Sequence, residues 1–128
     1  MRELMCVFIG GGIGSTLRFV ISMIWRHMKL NPAYENVVFP WPTFIANIIG
    51  CLLIGIFYTQ SERLGLSPEI RLLLTTGLCG GFTTFSTFSY ESISLLRDGM
   101  FSTFCLYILS SLVIGFICAY LPVLVHNS

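Results

Sequence analysis

The chain has 128 residues, of which 55% are hydrophobic and 10% charged, and its formal net charge is +1. A soluble domain of this size cannot bury so much apolar surface, and the charged residues collect between long apolar stretches instead of following one helical face. The composition therefore excludes a water-soluble globular domain and predicts a multi-pass membrane protein. There is no charge run of the kind that favours a nucleic acid partner.

Four apolar stretches are predicted to cross the membrane: residues 4–24, 41–60, 70–96 and 100–125. Each is close to or longer than the roughly 20 residues that span about 30 Å of hydrocarbon. The first stretch lies at the amino terminus, but no Ala-x-Ala-like cleavage site follows it, so we expect it to be retained. The connecting segments are short and polar. We therefore expect an all-α membrane protein with a single four-helix transmembrane domain over residues 1–128.

Positive charge is divided evenly between the two sides of the membrane. With an even number of spans both termini share a side, and three cations flank each face. These are Arg2, Arg63 and Arg71 on one side and Arg26, Lys29 and Arg97 on the other. The positive-inside rule acts through an excess of Lys and Arg, and here there is none. The balance favours insertion in both orientations, with a single orientation set by subtler signals as the alternative.

Small residues recur four positions apart in the first two spans. The pairs are Gly10 with Gly14, Gly11 with Ser15, and Ala46 with Gly50. This spacing lets two helix backbones approach closely in lipid. The glycine-rich stretch lacks the third glycine and the soluble βαβ setting of a dinucleotide site, so we interpret it as a helix-packing surface.

Three polar side chains lie inside the spans: Arg18, Asn47 and Glu91. A charged group that faces lipid is costly, so an ionisable residue within a span is a functional candidate by default. Each also has a structural interpretation. Arg18 can join helix ends, Glu91 can reach the interface, and Asn47 can hydrogen-bond a neighbouring helix.

The third span is predicted to be broken. Its 27 residues would form a helix of about 40 Å, too long for a straight crossing. We expect the break within residues 77–81, where Gly77, Gly80 and Gly81 fall. Membranes tolerate a broken helix only where protein or an aqueous cavity covers the freed backbone groups, and such breaks mark ion sites.

Phenylalanines and hydroxyl residues surround this break. If the helix resumes near Thr84, then Phe85 and Phe88 share one face while Thr87 and Glu91 lie on an adjoining one. The edge of a phenyl ring is electropositive and can touch an anion, and hydroxyl and amide donors can replace part of its hydration. The segment therefore predicts an anion pathway.

These residues resemble a known family, the Fluc fluoride channels, also called CrcB proteins. The resemblance spans nearly the whole chain and rests on "GGGIGSTLR", "PTFIANIIG" and above all "TTGLCGGFTTFSTFSYE" at residues 75–91. It implies a fluoride-selective passive channel in the plasma membrane, the inner membrane in bacteria, formed by a dual-topology antiparallel homodimer with two pores. Two positions depart from the pattern, Pro42 and Tyr90.

The resemblance also implies roles for particular residues. Phe85 and Phe88 match the paired pore phenylalanines, and Asn47 matches an asparagine beside the fluoride path. Gly80 and Thr83 match positions whose main-chain carbonyls, two from each subunit, hold a structural sodium ion. Arg18 matches an arginine to which we assign no role. The other predicted pore residues are Thr43, Thr84, Thr87, Glu91, Tyr107 and Ser111.

Without the resemblance, three other classes compete. A dual-topology exporter of the small multidrug type has a similar size, but its working carboxylate should lie in the first helix, where this chain has Arg18. A non-transporting assembly subunit would explain the packing motifs but not the hydroxyl and phenylalanine cluster. An enzyme is disfavoured because no nucleophile–base or metal-ligand constellation is apparent in the sequence.

Overall fold

The computed structural model describes residues 1–127, and every regular element in that range is helical. The helices are α1 (Arg2–Met28), α2 (Trp41–Leu64), α3 (Pro68–Leu72), a π-helical segment (Leu73–Cys79), α4 (Gly80–Phe82), α5 (Phe85–Arg97) and α6 (Phe101–Asn127). The predicted all-α class is confirmed.

Three of the helices are long and apolar enough to cross a bilayer: Arg2–Met28, Trp41–Leu64 and Phe101–His126. The fourth predicted span corresponds to residues 68–97, which form a first half-helix (α3, the π segment and α4) and a second half-helix (α5). The protein is therefore a membrane protein with four helical passages, and the third of them is broken as expected.

Close backbone packing joins α1 to the first half-helix, and glycines make it possible. A β-carbon on Gly10 would overlap the Leu73 carbonyl, and one on Gly14 would lie 2.7 Å from the Phe82 nitrogen. From the other side, a β-carbon on Gly81 would lie 2.9 Å from the α-carbon of Gly11. The small residues of the first span therefore act in helix packing, as predicted. On the opposite side of the bundle, α2 packs along α6.

The break lies later in the chain than predicted. Gly80 has helical dihedrals (φ −63°, ψ −39°), whereas Thr83 (φ −87°, ψ 159°) and Thr84 (φ −150°, ψ 123°) are extended. The expectation that the helix would break within residues 77–81 was therefore wrong, although Thr83, also assigned to the break, does lie in it. The physical reason is that Gly77 and Gly81 serve close packing against α1, so their lack of a side chain does not unwind the helix.

The two positions that depart from the family pattern are accommodated without distortion. Pro42 lies in the first turn of α2, where its missing N–H has no helical acceptor to lose. Tyr90 is 68% exposed on α5 and points away from the other helices.

Candidate functional site

Threonine hydroxyls end the first half-helix of the third passage and begin the second. The Thr83 N–H and hydroxyl both donate to the Cys79 carbonyl, at 3.0 Å and 2.9 Å, and so close the last turn of the first half-helix. Thr84 then caps α5, because its hydroxyl oxygen accepts the Thr87 N–H at 3.3 Å. Threonines compete with the helix for backbone partners, and here they end one helix and begin the next.

Asn47 of α2 holds the break through two hydrogen bonds to one residue. Its Nδ2 donates to the Thr84 carbonyl at 3.2 Å, and its Oδ1 accepts the Thr84 N–H at 2.9 Å. In an unbroken helix that N–H would bond to the Gly80 carbonyl. Asn47 therefore replaces a helical hydrogen bond, and the second N–H of its amide remains for another partner.

Arg18 and Ser15 of α1 reach the end of the first half-helix from the opposite side. Arg18 Nε donates to the Gly81 carbonyl at 3.3 Å, and the Ser15 hydroxyl donates to the same oxygen at 3.4 Å. A helix that ends at Phe82 leaves the carbonyls of its last turn without N–H partners from the helix itself. The two α1 side chains supply partners for one of them.

A groove of about 400 Å³ opens beside the break, lined by residues of α2, the third passage and α6. Asn47, Phe85, Phe88 and Ser111 line it, together with Thr84 at the amino-terminal end of α5. Among the residues that the structure describes, the Ser111 hydroxyl oxygen is buried without a hydrogen-bond partner. Two residues with unused donors, Asn47 and Ser111, thus line the same groove as the amino-terminal end of α5, where the helix dipole is positive.

The three phenylalanines of the motif have different environments. Phe82 is 6% exposed and packs beneath the break, whereas Phe85 is 80% exposed at the edge of the groove. The rings of Phe85 and Phe88 lie 6.2 Å apart with an interplanar angle of 38°. Only Phe85 and Phe88 line the groove, so Phe82 is a packing residue.

A second polar cluster lies deeper between α5 and α6. The Tyr107 side chain, with 0% of its surface exposed, donates its hydroxyl to Glu91 Oε1 at 3.0 Å. The buried Thr43 lies beside both of them. The Phe88 and Tyr107 rings are 5.0 Å apart, so this cluster continues directly from the groove. On its far side, Glu91 lines a second cavity of about 510 Å³ near the helix ends.

The predicted residues therefore fall into three groups. Asn47, Phe85, Phe88 and Ser111 line the groove, with Thr84 and the predicted sodium-site residues Gly80 and Thr83. Thr43, Glu91 and Tyr107 form the deeper cluster. Thr87 does not line the groove, because its hydroxyl accepts from that of Thr84 at 3.3 Å within the helix cap. That these residues contact an anion stays a prediction.

Sequence reasoning missed several groove residues. Thr75, Thr76 and Cys79 of the π segment line it, as does Cys51 of α2. The available signal was helical spacing, since Cys51 follows Asn47 by four positions and Cys79 precedes Thr83 by four. The second donor to Gly81, Ser15, was likewise noted only for packing.

Comparison with known proteins identifies the family. The family model described as "CrcB-like protein, Camphor Resistance (CrcB)" matches residues 5–123. The chain belongs to this family. It is 50% identical over 116 residues to the "Fluoride-specific ion channel FluC" of Phocaeicola vulgatus, covering 90% of each chain. The protein of the same name from Methylobacillus flagellatus is 44% identical over 122 residues, covering 94% of this chain and 91% of the relative.

The family assignment agrees with the resemblance derived from the three sequence motifs. In this CrcB-family chain all three motifs converge on the break: the first supplies Arg18, the second Asn47, and the third the break itself. Residues far apart in sequence thus hold backbone groups on both sides of the break: Arg18 bonds to Gly81 at the end of the first half-helix, and Asn47 bonds to Thr84 at the start of the second.

Proposed function

We propose that this chain forms a fluoride-selective passive channel that exports fluoride across the plasma membrane. Its relatives are named as fluoride-specific ion channels, and the family is one of channels and not of enzymes. A small-multidrug-type exporter is the alternative, but it would need a working carboxylate in the middle of the first helix. The only carboxylate of α1 is Glu3, in the first turn.

One observation carries the proposal: Ser111, whose buried hydroxyl has no hydrogen-bond partner among the described residues, lines the same groove as Asn47, whose amide has a spare N–H. An unpaired buried polar group costs about 1–3 kcal/mol. Hydrogen-bond donors beside the positive end of the α5 dipole favour an anion as the missing partner. The phenyl edges of Phe85 and Phe88 add an electropositive but apolar wall.

This chemistry favours fluoride over chloride. Fluoride is small and strongly hydrated, so it enters only where short-range donors replace its water, and a merely apolar or positively charged passage would favour the more easily dehydrated chloride. Selection therefore requires a narrow path with fixed donors. The groove supplies donors from Asn47 and Ser111, whereas the Tyr107 hydroxyl of the deeper cluster already donates to Glu91.

We further propose that two copies pair antiparallel and that each groove becomes one of two pores. A single copy leaves Phe85 80% exposed at the edge of an open groove. A second copy would cover the ring and close the groove. The even distribution of positive charge supports insertion in both orientations.

A structural sodium ion at the pairing surface is part of the same proposal. Gly80 and Thr83 line the groove, and the Gly80 carbonyl has lost its usual helical partner because Asn47 takes the Thr84 N–H. Main-chain carbonyls are the oxygen ligands that a hard monovalent cation accepts, and pairing would bring together two from each copy. The ion would compensate backbone groups that otherwise lack partners in a low-dielectric interior.

The decisive test is fluoride efflux from liposomes that contain purified protein, with chloride efflux as the control. The proposal requires rapid fluoride efflux without chloride efflux, nucleotide or a proton gradient. Proton-coupled export of an organic cation would favour the multidrug alternative. Absence of any flux from well-folded protein would favour an assembly subunit.

A further inference from the structure

We propose that Arg18 is a positioning residue that holds the broken helix through its Nε atom, and that its charge is not what conduction requires. The inference rests on the proposed channel function, because flux is one of its readouts. It assigns a role to an intramembrane charge that neither the sequence nor the comparisons explain.

Arg18 has a specific backbone partner at the break. Its Nε donates to the Gly81 carbonyl at 3.3 Å, in the last turn before the break. In an unbroken helix this carbonyl would accept the N–H of residue 85. That N–H belongs to the next helix, so Gly81 requires an outside donor in a medium where an unpaired carbonyl is costly.

Close glycine packing fixes α1 beside this carbonyl. Gly14, one helical turn before Arg18, packs so tightly that a β-carbon would lie 2.7 Å from the Phe82 nitrogen. Gly11 lies equally close to Gly81, since a β-carbon on Gly81 would be 2.9 Å from its α-carbon. The glycines thus fix the distance between the backbones, and Arg18 and Ser15 fix the direction of the Gly81 carbonyl.

The break is held from two sides. On one side Arg18 bonds to Gly81, and on the other Asn47 bonds to Thr84, three residues later. Thr83 lies within this span, and Gly80 directly precedes it. Releasing the Gly81 end would therefore let the first half-helix shift relative to Asn47 and Phe85, which line the groove.

The identity of the donor atom provides a sharp test. Nε is four bonds from the α-carbon, and so is Nε2 of glutamine, whereas the ammonium of lysine is five bonds away. The methyl carbon of methionine occupies the same position with no donor. Arg18→Gln thus retains the donor without the charge, Arg18→Lys retains the charge with the donor displaced, and Arg18→Met loses both.

We expect fluoride flux to decrease in the order wild type, Arg18→Gln, Arg18→Lys, Arg18→Met. Fluoride flux through the Arg18→Met variant should be at least about tenfold lower than through wild type, which is the typical effect of losing one hydrogen bond from a charged donor. If the charge of Arg18 attracts anions, then fluoride flux through Arg18→Lys exceeds that through Arg18→Gln, and the difference in flux shrinks as ionic strength rises. That result would overturn the proposal, as would equal flux in all four proteins. If the Met variant does not assemble, the order of Gln and Lys decides alone.

A spectroscopic measurement tests the hydrogen bond without transport. Labelling with 13C-carbonyl glycine and 15N-phenylalanine selects two Gly–Phe pairs, residues 81–82 and 115–116. Gly115→Ala removes the second pair and so assigns the first. The Gly81 carbonyl resonance should move upfield in Arg18→Met and stay near its wild-type position in Arg18→Gln. An unmoved resonance in Arg18→Met refutes the capping role, whereas failure of wild-type fluoride flux refutes only the channel function.

Discussion

Asn47→Asp is the substitution that separates the two tasks of the Asn47 amide. The aspartate side chain has nearly the same shape as asparagine and can still accept the Thr84 N–H. In the wild-type protein the Thr84 nitrogen lies 2.9 Å from Asn47 Oδ1. The aspartate no longer donates to the Thr84 carbonyl, 3.2 Å from Nδ2, and places a carboxylate oxygen against that carbonyl. It also replaces the spare N–H in the groove with negative charge.

The two effects differ in size. Loss of the donor leaves a carbonyl unsatisfied, which costs about 1–3 kcal/mol of stability. A carboxylate about 4 Å from a passing anion repels it by about 4 kcal/mol at an effective dielectric constant near 20. Because about 1.4 kcal/mol corresponds to a factor of ten, fluoride flux should fall about a thousandfold. The protein should therefore assemble but not conduct.

The assay is fluoride efflux from liposomes, with size-exclusion chromatography to verify assembly. Asn31→Asp is a matched control, because the Asn31 side chain accepts a hydrogen bond from the Ala33 N–H at 3.0 Å in an exposed loop. An aspartate retains that acceptor, so its flux should equal that of wild type. Wild-type flux from assembled Asn47→Asp protein would show that the anion travels by another route.

Three further predictions concern the aromatic wall, the glycine packing and the membrane topology. Phe85→Ile or Phe88→Ile should slow fluoride efflux severely while the protein still assembles, since isoleucine has no electropositive ring edge. Phe101→Ile, at the exposed start of α6, is the control. An equal loss of fluoride efflux in Phe101→Ile would contradict a specific role of Phe85 and Phe88. Gly14→Ala should lower the melting temperature in detergent, because the added carbon lies 2.7 Å from the Phe82 nitrogen and overpacking costs about 1–3 kcal/mol. Gly12→Ala, with nothing within 4 Å, should be neutral or stabilising, and equal effects of the two would refute the packing argument. A reporter at the carboxyl terminus should be labelled from both sides of the membrane, and labelling from one side only would exclude dual topology.

The sequence predicted that the third passage is broken, but not the position of the break. The break was assigned to residues 77–81 because glycine is the usual site of helix irregularity, yet all three glycines there remain helical. A local pattern cannot reveal that Gly77 and Gly81 face the glycines of α1, since that contact joins residues about seventy positions apart. The threonines, which were predicted as ligands, are partly used to end and begin helices.

The sequence by itself determined that this protein lies in a membrane and crosses it with apolar helices. The free energy of transfer from water to lipid is a sum over the residues of each span, so composition and spacing suffice to predict which segments cross the membrane. The motifs also determined the family. Only the tertiary structure decided where the third passage breaks, what Arg18 and Asn47 bond to, and that Ser111 lies unpaired in a groove. These are contacts between distant parts of the chain, and they follow from how closely glycine-bearing helix surfaces can approach.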